Sequence, residues 1–94
     1  MPSQIVNVAS TVGLHARPAS LLVKAAAKSG LSVTIGRVGD APVNAASMLS
    51  VLALGIKFDE SLEVTVADGE NAAEVLATLV DIIATNHDEE NPSA

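Results

Sequence analysis

The sequence predicts an α+β open-faced sandwich: a four-stranded antiparallel sheet in the order β-α-β-β-α-β-α, covered on one face by three helices. Two observations carry this expectation. Residues 61–67 alternate cleanly, with Leu62, Val64 and Val66 against Glu63 and Thr65, the mark of a strand buried on a single face. Residues 70–85 instead place Ala72, Leu76, Leu79, Val80 and Ile83 at helical spacing, giving an apolar stripe that needs a sheet to cover.

The elements follow in order. Residues 4–8 are a short β-prone run and open the sheet. Residues 11–14 break the pattern with Gly13, and helix formers then run from Ala16 to Lys28. Gly30 stands where a left-handed residue closes a helix. Residues 31–37 read as a strand with Val33 and Ile35 on one face, and Gly39-Asp40 as a turn. Residues 41–44 make a short strand that Pro42 keeps at a sheet edge. Residues 45–54 read as an apolar helix ending at Gly55. The single domain is expected over residues 1–87, with residues 88–94 a frayed acidic tail.

Composition removes several function classes. The 94 residues contain no cysteine, which excludes disulfides, thiolate metal sites and cysteine nucleophiles. Phe58 is the one aromatic, so no stacking platform for single-stranded nucleic acid is available. Sixteen alanines and the aliphatic residues raise the mean hydropathy to +0.43, yet the most apolar stretch, residues 45–56, is far short of the ~20 residues a membrane span needs. No secretory signal pattern opens the chain, and a cytoplasmic protein is expected. Residues 1–58 carry five cations against Asp40 alone, and residues 59–94 carry ten acids and no base. Five bases are few for general nucleic-acid binding. Concentrated in the N-terminal half, they suit a docking surface for an acidic partner.

Chemistry concentrates at the start of the first helix. His87 stands among acids and reads as a solvated surface residue, but His15 directly precedes the helix and is followed by Arg17 and Pro18. Histidine is a mediocre N-cap compared with Ser, Thr, Asp or Asn, so its presence there points to another duty. A helix N-terminus offers backbone N–H groups and a partial positive charge to a phosphate. Pro18 suits the first helical turn, and the Arg17 guanidinium presents a planar fork to phosphate oxygens. A neutral imidazole near physiological pH is nucleophilic. No carboxylate–histidine pair, serine elbow or metal-ligand spacing accompanies it, so His15 suits accepting and passing on a group without activating a substrate alone.

The segment Gly13-Leu14-His15-Ala16-Arg17-Pro18-Ala19-Ser20 resembles the active-site motif of the HPr family, the histidine-containing phosphocarriers of the phosphoenolpyruvate-dependent sugar phosphotransferase system. The resemblance extends over nearly the whole chain. Residues 44–55, Asn-Ala-Ala-Ser-Met-Leu-Ser-Val-Leu-Ala-Leu-Gly, are similar to the family's second helix and look most like members from high-GC Gram-positive bacteria. The resemblance implies that His15 carries phosphate on Nδ1, received from phospho-enzyme I and passed to the EIIA domains of sugar permeases. It further implies that Arg17 and the backbone of Ala16 and Arg17 stabilise the phosphoryl group, with no cofactor or metal and no independent catalysis. Ser47 falls where some lineages carry a regulatory serine, the target of an HPr kinase/phosphorylase whose product a transcriptional regulator reads. Ala46 and Ser50 depart from that regulated form, which often has a basic residue before the serine and a glycine three after it; Ser47 also reads as the N-cap of the second helix.

A docking face is legible beside the histidine. Arg17, Ser20, Leu21, Lys24 and Lys28 fall on one stripe of the first helix. The second helix is apolar nearly all round, leaving Met48, Leu49 and Leu52 as surplus to one core-facing stripe. The chain is expected to be a monomer that meets its partners transiently. The alternatives are a signalling module acting through phosphorylated Ser47, a phosphocarrier serving nitrogen control instead of sugar uptake, and a ligand-binding domain with no chemistry.

Overall fold

The computed structural model describes residues 1–9, 13 and 16–85. Its elements are β1 (Ser3–Asn7), α1 (Ala16–Ser29), β2 (Val33–Arg37), β3 (Val43–Asn44), α2 (Met48–Ala53), β4 (Ser61–Val66) and α3 (Ala72–Ala84). The strands form one sheet in the order β1-β4-β2-β3, every neighbouring pair antiparallel. β4 thus enters last and lies between β1 and β2, a split βαβ arrangement. The expected fold class is the one observed.

Register follows the apolar alternation. Leu62, Val64 and Val66 stand opposite Arg37, Ile35 and Val33 on one side, and Leu62 opposite Val6 on the other. A slip by one residue would turn the whole apolar set to the wrong face. Val6, Val33, Ile35, Leu62, Val64 and Val66 are buried, and the helices bring Leu22 and Ala26 (α1), Val51 (α2) and Leu76, Leu79 and Ile83 (α3) against them. Each fully buried leucine contributes about 1.5–3 kcal/mol relative to exposure. The opposite face carries Thr34, Glu63 and Thr65 and the exposed Ile5, and no described helix covers it.

Two helix starts differ from expectation. The second helix begins at Met48, because Ala45 is fully buried and gives its N–H to Val33 O, 2.9 Å away, continuing the β2–β3 pairing. Asn44 Oδ1 then accepts the Ala46 N–H at 2.9 Å, and the turn ends at Ser47. The third helix begins at Ala72, since Asn71 is left-handed at φ 67° and ends the preceding turn. α1 closes as expected, with Gly30 at φ 74° and the Ser29 hydroxyl donating to Ala26 O at 2.7 Å. The expected acidic tail and His87 lie outside the described residues.

Candidate functional site

The site is built where the loop after β1 enters α1. His15, the expected phosphoacceptor, lies outside the described residues, but both sides of it are placed. On one side Gly13 is buried at φ +81° against the backbone of the α2–β4 loop. A Cβ there would fall on Ile56 O and lie 2.9 Å from Lys57 Cα, so only glycine fits this approach. On the other side α1 starts at Ala16; Pro18 and Ala19 are buried against the core while Ala16 and Arg17 are exposed. The first turn of an α-helix presents N–H groups that no intrahelical carbonyl takes up. Arg17 places a guanidinium in that turn, at the end of the helix where the dipole is positive.

The expected docking residues lie on α1 and α2, which pack against each other. Leu21 is 39% exposed, Lys24 and Lys28 are exposed, and Ser20 is half-buried. Leu49 is 80% and Leu52 40% exposed. Met48 differs from these, because it is half-buried and packs on the core. Ser47 caps α2: its Oγ accepts the Ser50 N–H at 3.3 Å, from an extended backbone at φ −106° and ψ 110°. Among the described residues no cluster of His, Cys, Asp and Glu could hold a metal, and no helix is long and apolar enough to cross a membrane.

Sequence reasoning missed the role of Arg37. At the end of β2 its Nη1 donates to Leu54 O at 2.9 Å and its Nη2 to Gly55 O at 3.1 Å. Its Nε donates to Glu60 Oε1 at 2.5 Å, and Glu60 Oε2 accepts the Lys57 N–H at 3.2 Å. Nothing local in sequence announces a pair 23 residues apart. The hydrogen bond from Arg37 pulls the Glu60 pKa below the ordinary carboxylate range, against partial desolvation, with the Lys57 amide helping; the same bond raises that of Arg37. A carboxyl depressed in the folded state adds stability that is present above its unfolded pKa, about 4.3 for glutamate, and lost as pH falls through the folded value. The melting-temperature gap between the protein and Glu60→Gln is therefore expected to hold from pH 7 to about 5 and close on further acidification. A gap that stayed unchanged as the pH fell from about 5 through the acid range would show that the Glu60 charge stabilises nothing.

Comparison with known proteins agrees with this geometry. The model of the PTS-HPr family, described as the PTS HPr component phosphorylation site, matches residues 2–85. The chain is 45% identical over 89 residues to the phosphocarrier protein HPr of Streptomyces coelicolor, covering 95% of each. It is 47% identical over 81 residues to that of Haloferax volcanii, covering 85% of this chain and 90% of the relative. Among solved structures, HPr-C-His from Thermoanaerobacter tengcongensis superposes with a TM-score of 0.84 at 28% identity, covering 97% of this chain and 100% of the other. A match over both layers of the fold, including the helix start that bears Arg17, places this chain in the HPr family of phosphocarrier proteins of the phosphotransferase system.

Proposed function

We propose that the protein is a cytoplasmic, monomeric carrier that takes a phosphoryl group on His15 from phospho-enzyme I and hands it to EIIA domains for sugar uptake. The observation that supports this most lies on the two flanks of His15 in the chain: Gly13 is pinned against the α2–β4 loop before it, and the exposed Arg17 lies in the first turn of α1 after it. In the forward step the lone pair of neutral Nδ1 attacks phosphorus as the bond from phosphorus to its carrier atom on enzyme I breaks, while Nε2 keeps its proton. In the onward step Nδ1 is the leaving group. Phosphoryl transfer asks little covalent chemistry of the protein beyond positioning and charge. The Arg17 fork and the N–H groups of the first turn supply charge-assisted bonds to the equatorial oxygens.

Partner docking falls to Ser20, Leu21 and Lys24 on α1 and to Leu49 and Leu52 on α2, with Met48 supporting from beneath. An apolar centre beside exposed cations suits brief, fast encounters with an acidic face. Incubation with phosphoenolpyruvate and enzyme I tests the reading. The product should gain the mass of one phosphoryl group and lose it in acid, as phosphohistidine does. No mass gain, or an acid-stable adduct, refutes it.

A further inference from the structure

A single guanidinium reaches both segments that the phosphocarrier reading places around His15. Arg37 donates to the carbonyls of Leu54 and Gly55, at the C-terminal end of the helix bearing Leu49 and Leu52. α2 has no basic residue in its own last turn, so β2 supplies the cation that its terminal carbonyls favour. Through Glu60, which accepts from both Arg37 and the Lys57 amide, the same group fixes the backbone at residues 55–60. That backbone is the wall on which Gly13 rests, two residues before His15. An isolated exposed ion pair would count for little. This one is tied to two backbone carbonyls and one amide, and charge-assisted bonds of that kind fix direction as well as distance.

We propose that Arg37 and Glu60 are positioning residues for phosphotransfer, holding the docking helix α2 and the Gly13 anchor of the phosphoacceptor loop in one fixed relation. The inference rests on the proposed role of His15 and adds to it a requirement for geometry. A displacement of about 1 Å at a reacting centre can cost on the order of a hundredfold in rate. Neither side chain needs to touch the phosphoryl group for its loss to be felt.

The test is single-turnover transfer from phosphorylated enzyme I, measured across a range of carrier concentrations. The protein is compared with R37M, R37K, E60Q and H15A at a temperature where melts show each to be folded. R37M is expected to lower the maximal rate about tenfold or more and to raise the half-saturating concentration. R37K should recover part of the loss, since it restores the cation but not the fork, and the Gly13 amide resonance should move in R37M. A folded R37M with wild-type rate and half-saturation overturns the inference, as does a loss no larger than its unfolded fraction. If R37M does not fold, E60Q decides by the same two parameters. H15A keeps the two readings apart: if it accepts phosphate normally the phosphoacceptor assignment fails, whereas a dead H15A beside an unimpaired R37M sinks this inference alone.

Discussion

Replacing His15 by alanine is expected to abolish acid-labile labelling from phosphoenolpyruvate and enzyme I while the thermal melt survives. The expectation rests on elimination as well as on the motif. The chain has no cysteine, and its other histidine, His87, stands among the acids that follow α3 in sequence. Of the two imidazoles, His15 alone adjoins a helix N-terminus in sequence and a guanidinium two residues on. Alanine there gives up at most a weak cap, worth about 1 kcal/mol, against the 5–15 kcal/mol typical of a folded domain. Arg17→Ala should behave differently, still accepting phosphate but more slowly, because a fork that binds equatorial oxygens speeds a transfer it does not itself perform. Undiminished acid-labile phosphate on His15→Ala would refute the assignment. Wild-type rates in Arg17→Ala would make that residue a bystander.

The parts of the fold that sequence revealed are those governed by local periodicity. The alternation at 61–66 gave β4 its buried face because each inward residue is a branched aliphatic and each outward one polar. Gly30 announced the end of α1, since a left-handed closing residue favours glycine. The errors lie where distant groups override local pattern. Residues 45–47 are apolar or small and look helical, yet Val33 O claims the Ala45 amide and delays α2 to Met48. The late start of α3 is instead a local matter, because Asn71 turns left-handed at φ 67° and ends the preceding turn. At the site, Arg17 and Pro18 could be read from their place in a helix start, whereas the Arg37–Glu60 brace could not. Its partners belong to elements joined only by the completed sheet, β2 and the turn before β4, and composition marks Arg37 simply as one more cation.

Leu49→Glu and Val51→Glu should separate docking surface from core within a single helix. The two positions lie half a turn apart on α2, one 80% exposed and the other fully buried. A carboxylate forced into the place of Val51 has no partner, and burying it costs several kcal/mol, enough to unfold most of a small domain. At Leu49 the same carboxylate stays in water, so the melt should move by no more than about 0.5 kcal/mol. Enzyme I binding should nevertheless weaken about tenfold or more, because an apolar contact is lost and a negative charge is set before an acidic partner. Leu52→Glu, at 40% exposure, should show both effects in part. Added salt should weaken wild-type binding, since Lys24 and Lys28 are exposed and their attraction is screened over about 10 Å at 0.1 M. Unaltered binding in a folded Leu49→Glu would place the docking surface elsewhere and leave α2 as a strut of the core. Lost binding with an intact melt instead gives the exposed face of this six-residue helix a function that packing alone does not require.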